Sequence, residues 1–249
     1  MPHDKRDFHH PGRPSDLPAP GMLWAHGVIE HGARRIAPDR PWSEFSFGPE
    51  GMHHVNLGGC WWQLTWVEGD RAVLTGYEPL EDTIDAEVDL FGGGPDWLPW
   101  EWLDAHFARY RRDDMGVSFL YWWDGAWART DYPAEIEDDG LVTVGGFGTP
   151  EGLLVPEQDL LDGDSPFRVE ERALALGGEL MACVADRDGE RAWELFLDLL
   201  RTGGAEYLIY GAGYEPDAPH VDVDAARDGL GADWFTRRAT LPAGAQPTA

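Results

Sequence analysis

The sequence predicts an α+β fold made mostly of antiparallel β-hairpins together with a few amphipathic helices. Two segments, 61–77 and 119–130, each contain a pair of β-rich runs separated by a short turn that carries glycine. Two other segments, 99–112 and 189–204, repeat apolar residues at the spacing of a helix. Short strands with helices placed between them are typical of the α+β class.

The first hairpin is predicted from WWQLTWV and RAVLTGY, which are joined by a turn containing Gly69. In the second hairpin, Asp124-Gly125 stands between FLYWW and AWART, and this pair is typical of a two-residue turn. Continuous apolar runs are typical of buried strands. Three shorter runs are therefore predicted as strands: LVTVGG (141–146), LMACVA (180–185) and EYLIYG (206–211).

The helix predicted over 99–112 ends in three arginines, which suit the negative end of a helix dipole. The helix predicted over 189–204 follows Asp188, which can cap its first turn, and Gly203 or Gly204 can end it. Residues 166–178 favour a third helix. The apolar stripes are Trp100, Leu103, Phe107 and Tyr110 in the first helix and Trp193, Phe196, Leu197 and Leu200 in the second.

Two 22-residue stretches, 76–97 and 213–234, align without a gap and share nine identical residues. We expect this agreement to reflect an internal duplication that produced two related half-units. The alternative is that both stretches are Asp- and Gly-rich loops matched by composition. Four of the shared pairs have a local reason: the glycines let the strand bend or take positive φ, the prolines end pairing, and the tryptophans anchor the loop. The fourth pair, Asp96 and Asp233, can bond a free backbone amide at a turn or helix start. The other three pairs are Gly76 and Gly213, Pro79 and Pro216, and Trp97 and Trp234.

The duplication and the composition of the ends predict four parts of the chain. Residues 1–21 are rich in proline, histidine and charge and are expected to form a disordered tail, as are residues 241–249. Residues 22–135 are expected to form the first α+β unit. Residues 136–240 are expected to form the second unit, packed on the first.

Asp and Glu outnumber Lys and Arg by 46 to 19, which gives a formal net charge of −27. A surface this negative repels phosphate backbones and anionic lipids, so neither nucleic acid nor a membrane is expected as a partner. It attracts a basic protein or a cationic ligand. No signal-peptide core and no run near ~20 apolar residues is present, which predicts a cytoplasmic protein. Lys, Asn and Ile, whose codons are AT-rich, are scarce, which indicates a GC-rich bacterial genome.

Histidines and cysteines do not form a recognisable metal or cofactor motif. In HGVIEH, His26 and His31 are five residues apart, whereas a zinc-protease helix needs a spacing of four, so only His26 and Glu30 would share a face. His53 and His54 would point to opposite sides of a strand. The two isolated cysteines, Cys60 and Cys183, resemble small buried apolar residues. No metal and no cofactor is therefore expected.

Tryptophan pairs and a repeated Tyr-Glu pair are the strongest candidates for a binding surface. Trp61-Trp62 and Trp122-Trp123 lie on predicted strands, where neighbouring side chains face opposite ways, so each pair places one indole on each face of the sheet. Either both faces are covered, or one indole of each pair is exposed for binding. The candidate binding residues are Trp62, Tyr77, Glu78, Trp97, Trp123, Tyr214, Glu215 and Trp234.

The charge and the absence of a convergent catalytic motif favour a non-enzymatic acidic protein that binds a basic protein partner, as toxin-neutralising proteins do. A carbohydrate-active or other hydrolytic enzyme that uses paired carboxylates and tryptophan platforms is the alternative. A third hypothesis is a metal or small-ligand protein using His26, Glu30, His53 or His54. The sequence leaves the oligomeric state open.

Overall fold

The computed structural model describes residues 8–36, 44–56, 58–79, 88–112, 116–154, 171–201 and 230–244. Within these ranges, helices and a mostly antiparallel seven-stranded sheet confirm the predicted α+β class. The helices are α1 (Pro20–Arg35), α2 (Trp100–Arg112), α3 (Pro150–Leu154), α4 (Glu171–Ala185), α5 (Gly189–Arg201) and α6 (Ala232–Thr236), with 3-10 helices at Pro14–Asp16 and Leu141–Val144. The strands are β1 (Phe45–Gly48), β2 (Gly51–Val55), β3 (Trp61–Val67), β4 (Arg71–Tyr77), β5 (Phe119–Trp123), β6 (Trp127–Ala128) and β7 (Thr240–Leu241).

The chain divides into two compact units that alternate along the sequence. The helical unit comprises Met1–Arg6, Gly21–Phe45 and Gly145–Arg237, and the sheet unit comprises Asp7–Pro20, Ser46–Val144 and Arg238–Ala249. These bounds are discontinuous, whereas the sequence predicts continuous units at 22–135 and 136–240. Those continuous ranges stay a prediction.

The sheet of the sheet unit runs in the order β1-β2-β3-β4-β5-β6, and β7 pairs in parallel with the end of β3. The predicted hairpin at 61–77 is confirmed, with Trp61 opposite Tyr77 and Val67 opposite Arg71. Its turn uses two residues with positive φ, Gly69 and Asp70. Positive φ suits glycine and is tolerated by aspartate, which explains the composition of this turn.

The second predicted hairpin is also present, but its turn is longer than the sequence indicates. Trp123 pairs with Trp127, so the loop contains the three residues 124–126 rather than Asp124-Gly125 alone. Gly125 has φ of 80°, a conformation that glycine adopts without steric conflict. The aspartate-glycine signal therefore located the turn correctly and misjudged its length by one residue.

Helix α2 covers one face of this sheet and forms the apolar core with it. The predicted stripe is buried at Leu103, Phe107 and Tyr110, while Trp100 at the first turn is only half-buried. On the opposite face of the sheet, the 3-10 helix at Leu141–Val144 contacts β3 and β4. Because both faces are covered, every residue of β3 is buried. The core between α2 and the sheet contains Val67, Val73, Leu90, Leu98, Leu103, Phe107, Leu120 and Trp122.

Residues 8–20 include part of the segment for which the sequence predicts a tail. They carry the first 3-10 helix and make hydrogen bonds within the sheet unit. Gly12 donates its backbone N–H to the Asp139 carboxylate at 2.9 Å, and the Trp127 indole donates to the carbonyl oxygen of Pro18 at 2.6 Å. This segment is therefore part of the packed sheet unit.

Two of the three shorter strands predicted from apolar runs are wrong. LVTVGG contains the 3-10 helix at Leu141–Val144, because Gly140 with positive φ and the Asp139 carboxylate supply local bonds in place of a ladder. LMACVA belongs to helix α4, whose buried residues recur at helical spacing once the preceding turns are included. The third run, EYLIYG, lies outside the described residues.

Helices of the helical unit pack in sequence order, α3 on α4, α4 on α5 and α5 on α6. The Asp188 carboxylate accepts the backbone N–H of Arg191 at 3.2 Å, which confirms it as the cap of α5. A third helix is predicted over 166–178, and helix α4 confirms it from residue 171 onward. The predicted ending glycines, Gly203 and Gly204, lie outside the described residues.

Helix α1 was not predicted from the sequence. Residues 23–29 are all buried, so the helix has no single apolar stripe to reveal its period. The indole of Trp234 in α6 donates to the carbonyl oxygen of Val28 at 3.1 Å and stacks on the ring of His31. Gly32 allows this approach, because a Cβ there would lie 2.9 Å from the indole nitrogen.

The internal duplication is not confirmed. Most of the second copy lies outside the described residues, which leaves only 93–97 and 230–234 to compare. Asp96 and Trp97 lie in turns before α2, whereas their counterparts Asp233 and Trp234 lie inside α6. Gly76 in the first copy does not have positive φ; it is required because a side chain there would collide with the ring of Phe119.

Candidate functional site

An open pocket of about 310 Å³ lies in the sheet unit, where the turn between β1 and β2 meets the last turns of α2. This volume is at the lower end of the range found for small-molecule sites. The polar side chains that line it come from segments far apart in sequence. They are Ser46, Glu50, His53, Gln63, Arg109 and Tyr110.

The turn at the rim of the pocket is held in one conformation. Gly51 has φ of 123°, and a side chain there would overlap the backbone carbonyl of Leu64. The carbonyl oxygen of Glu50 accepts hydrogen bonds from Thr65 Oγ1 at 2.7 Å and from Gln63 Nε2 at 3.2 Å. Two side chains of β3 therefore hold the turn, which gives a preorganised rim.

The Tyr110 ring stacks on the buried Trp61 ring, with 3.9 Å between centroids and 9° between planes. The Tyr110 hydroxyl lies 3.2 Å from Nε2 of His53 on the neighbouring strand. Packing of the phenol on a fully buried indole leaves the phenol little freedom to move. The position of the hydroxyl is thus fixed by both the sheet and the helix.

One cation and one anion face each other at the mouth of the pocket. Nη1 of Arg109 lies 3.6 Å from Oε2 of Glu50, and both side chains are more than two-fifths exposed. Nη2 of Arg109 donates to the Tyr110 hydroxyl oxygen at 3.5 Å. Because a guanidinium can only donate, the hydroxyl hydrogen is available for His53 Nε2. When the hydroxyl donates this hydrogen, His53 is the neutral tautomer with its hydrogen on Nδ1; in the other neutral tautomer, Nε2 donates to the hydroxyl oxygen.

His53 and the nearby His106 of helix α2 are both kept neutral by their environment. Burial, aided by the nearby His54 and Arg109, lowers the pKa of His53 to about 4. Burial, with Arg109 and His53 as further causes, lowers the pKa of His106 to about 3. His106 Nε2 lies 3.0 Å from Thr75 Oγ1, while its Nδ1 is buried with no hydrogen-bond partner within the described part of the chain. Neutral imidazoles leave Arg109 as the cation of the pocket.

A second polar group lies in the helical unit, on helix α1. His26 and Glu30 share a face as predicted, with 3.8 Å between Nε2 and Oε2. Burial and the nearby Glu44 raise the pKa of Glu30 to about 7, although Arg34 acts in the opposite direction. Nδ1 of His31 lies 2.9 Å from the carbonyl oxygen of Phe45. Over the described ranges, no three metal-binding side chains are grouped as an ion would require.

His53 and His54 occupy opposite sides of β2, as the sequence predicts. His53 pairs with Gln63 and reaches the pocket, whereas His54 pairs with Trp62 and stacks on its ring at 5.3 Å. Cys60 and Cys183 are free and half-buried. No described helix is both long enough and apolar enough to cross a membrane.

The described members of the predicted binding set each have different surroundings within their own unit. Trp62 is fully buried, and Trp123 is half-buried with its ring edge against Trp127 at 5.5 Å. Trp97 lies beneath the guanidinium of Arg71 at 5.1 Å. The described members of the set lie in both units, and none of them lines the pocket; Tyr214 and Glu215 lie outside the described residues.

Tyr77 is the last residue of β4, Glu78 follows it, and both are half-buried. The Tyr77 ring packs so closely over Gly116 that a side chain there would collide with it. The Cβ of Glu78 approaches Gly140, where an added Cβ would lie 2.8 Å away. These contacts agree with the interpretation of the Tyr-Glu pair as part of the scaffold. Whether the pair also binds a partner stays a prediction.

Sequence reasoning missed Glu50, Gln63, Arg109 and Tyr110 as members of a site. Tyr110 was identified only as part of a core stripe and Arg109 only as a charge at a helix end. Glu50 and Arg109 are far apart in sequence, and no motif links them. The one available signal was His53, which is a polar residue on a strand that carries buried neighbours.

Comparison of the chain with protein-family models, curated protein sequences and solved structures finds no match. What the pocket can bind is therefore inferred from the chemical groups that line it. The pocket offers one cation, one carboxylate, a neutral imidazole and a carboxamide on a rigid frame. These groups suit the binding of a polar ligand with two opposite charges.

Proposed function

We propose that this protein is a non-enzymatic acidic binding protein whose partner is a basic protein, in the manner of toxin-neutralising proteins. The observation that carries the proposal is the net charge of −27, which is large for a chain of 249 residues. Charge of this size attracts a partner of opposite sign and accelerates the encounter with it.

Two arginines of the sheet unit are paired with carboxylates of the same unit. Arg71 lies 3.4 Å from the Asp124 carboxylate, and its guanidinium covers the Trp97 ring. Arg238 bonds Asp70 at 3.0 Å and covers the Trp66 ring. Each of these pairs cancels one carboxylate, and the net charge of −27 is what remains after every basic residue has been counted.

An acidic segment of the sheet unit supports the proposal locally. Residues 131–139, DYPAEIEDD, contain five carboxylates and no basic residue. Asp131, Glu135 and Glu137 are exposed, whereas Asp139 is fully buried and serves the fold. Three exposed carboxylates on one short segment form a surface that lysine and arginine side chains of a partner can pair with.

The hydrolytic alternative receives less support. Hydrolysis of a glycoside by paired acids requires two carboxylates across a cleft. The described pocket is lined by a single carboxylate, that of Glu50. The aromatic residues that line it are Phe47 and Tyr110, and Trp61, which stacks on Tyr110, has no exposed surface. We therefore place the binding function first.

The test is affinity capture from the host lysate at about 50 mM and about 500 mM salt. The higher salt concentration shortens the screening length and so weakens electrostatic attraction between the two proteins. We expect one basic protein to be retained in stoichiometric amount at low salt and released at high salt. Reconstitution with the purified partner then gives a dissociation constant. Capture of nothing at either salt concentration would rule the proposal out.

A pair of charge-matched variants separates a docking surface from the effect of net charge. The test variant combines Asp131→Asn, Glu135→Gln and Glu137→Gln. The control combines Glu171→Gln, Asp186→Asn and Glu190→Gln, three exposed carboxylates of the helical unit. We expect the test variant to lose at least about tenfold in affinity, or 1.4 kcal/mol, and the control to lose much less. Equal losses would indicate a non-specific charge effect and contradict a docking role for the segment.

A further inference from the structure

We infer that the pocket beneath the β1–β2 turn binds a small zwitterion, with the chemistry of a free α-amino acid. Its carboxylate would pair with Arg109 and its ammonium with Glu50. This inference is independent of the proposed protein partner, since it concerns a different surface and a different ligand.

The spacing of the two charges leaves both of them able to bind. Their separation of 3.6 Å exceeds the 2.7–2.9 Å of a charge-assisted hydrogen bond, so the two groups attract each other without a close bond. Within the described ranges, Arg109 makes one long hydrogen bond, to Tyr110 at 3.5 Å, and its guanidinium carries five donors. A ligand carboxylate can therefore gain hydrogen bonds that the protein alone does not make.

Electrostatics selects a zwitterion over ligands with a single kind of charge. A phosphate or other dianion would meet both the Glu50 carboxylate and the field of a protein with net charge −27. A simple cation would pair with Glu50 and face Arg109 with like charge. A zwitterion gives each protein charge an opposite partner and has no net charge for the field to repel.

The frame of the pocket is suited to hold such a ligand without reorganisation. Gln63 and Thr65 hold the Glu50 turn through its carbonyl oxygen, and Trp61 holds Tyr110 by stacking. His53 adds a neutral imidazole to the lining of the pocket. Prior fixation of the binding groups reduces the entropy lost on binding.

The inference is tested by titrating the whole protein with glycine, L-alanine and L-glutamine, followed by amide NMR shifts of Gly48 and Gly51. Acetate and methylammonium serve as probes that carry only one of the two charges. We expect at least one amino acid to saturate these shifts, and each single-charge probe to bind at least about tenfold more weakly. The absence of saturation by any amino acid up to about 50 mM, or equally tight binding of acetate, would overturn the inference.

Matched variants assign the effect to the two charges. Arg109→Gln and Glu50→Gln should each weaken the amino acid at least about tenfold. The controls are Arg111→Gln and Glu101→Gln, which change exposed charges of the same helix α2. Amide spectra of each variant verify the fold, and equal weakening in the controls would contradict the assignment. The titration needs no protein partner, so it can fail while the proposed function stands, and the reverse also holds.

Discussion

Asp139 is a fully buried carboxylate that connects three segments of the sheet unit. One oxygen accepts the backbone N–H groups of Gly12 at 2.9 Å and Leu141 at 3.2 Å, and the other accepts the Tyr121 hydroxyl at 2.8 Å. Burial, together with the Asp139 charge, raises the pKa of Tyr121 well above its usual value. The phenol therefore remains a hydrogen-bond donor through the pH range in which an ordinary tyrosine would lose its proton.

Removal of this acceptor should destabilise the sheet unit strongly. Asp139→Ala leaves three donors without a partner, and we expect the free energy of unfolding to fall by about 3 kcal/mol or more. Asp139→Asn keeps the shape and one oxygen, so a smaller loss of about 1–2 kcal/mol is expected. Urea unfolding measures both, with the exposed Glu137→Gln as control. A loss below about 0.5 kcal/mol for the alanine variant would contradict this role.

The buried histidines of the sheet unit should remain neutral in mildly acidic solution. Their pKa values, about 4 for His53 and about 3 for His106, are below the usual 6.5, so in this pH range only the unfolded chain binds the protons. These groups thus make stability fall as the pH drops from about 6.5 towards 4. Imidazole NMR shifts should show no protonation of either ring at pH 5.5. The same rings in urea should titrate near 6.5, and protonation of both at pH 5.5 in the folded chain would contradict the assignment.

Glu30 changes the stability of the protein with pH in the opposite direction to His53 and His106, over an overlapping pH range. Its pKa of about 7 lies above the usual 4.5, so the folded chain holds a proton that the unfolded chain releases, and this stabilisation is lost as the pH rises from 4.5 to 7. Glu30→Gln should therefore stabilise more at pH 8 than at pH 5, by about 2 kcal/mol given that 17% of the side chain is exposed. The exposed Glu190→Gln should show no such difference. A stabilisation that is equal at the two pH values would contradict the raised pKa.

At the scale of elements, the β1–β2 hairpin shows how one backbone position governs a site. Gly51 takes positive φ beside the Leu64 carbonyl, which brings the Glu50 turn over β3. Gly48 lies on the other side of the same turn, and an added Cβ there meets nothing within 4 Å. The two glycines differ in steric environment although they are three residues apart.

Alanine at these two positions gives a matched comparison. Gly51→Ala should lower the free energy of unfolding by about 3 kcal/mol, because it combines a disfavoured backbone conformation with a collision against the main chain. Gly48→Ala should change it by less than about 1 kcal/mol. Urea unfolding of both variants is the measurement. Similar values for the two variants would show that the turn is not constrained as described.

At the scale of the whole molecule, the charge of −27 affects stability as well as binding. Like charges repel more strongly in the compact state than in the extended chain, so self-repulsion opposes folding. Several ion pairs are exposed, including Arg191 with Glu179 at 2.7 Å, and exposed pairs contribute little to offset that repulsion. Dissolved salt screens both effects, and repulsion dominates because carboxylates are in large excess.

Added salt should therefore raise the melting temperature. Raising NaCl from about 0.05 M to about 0.5 M shortens the screening length from about 14 Å to about 4 Å, and we expect a gain of roughly 3 °C or more. The triple variant at Asp131, Glu135 and Glu137, with net charge −24 (−27 + 3), should gain less. Differential scanning calorimetry gives both values. A melting temperature that falls with salt would show that ion pairs outweigh repulsion.

Features that depend on neighbouring residues could be predicted from the sequence. The strand period and turn glycines located both hairpins, the helical stripe located α2 and α5, and alternation on a strand placed His53 and His54 on opposite faces. Prediction from a short apolar run was wrong where the period of the run is ambiguous, since LMACVA is helical within α4. Helix α1 was not predicted, because residues 23–29 are all buried and show no helical stripe. The predicted binding set stays a prediction, and the burial of Trp62 could not be foreseen, because the exposure of an indole depends on what covers it.

The sequence alone determined the α+β class, the acidic surface and the positions of the main hairpins, because composition and short-range spacing carry that information. Tertiary structure alone decided that Glu50 meets Arg109 above Tyr110, and that Trp62 is buried. These pairings join a turn, a strand and a helix that are distant along the chain. Their partners are selected by the packing of α2 on the sheet, a contact that no local pattern of residues specifies.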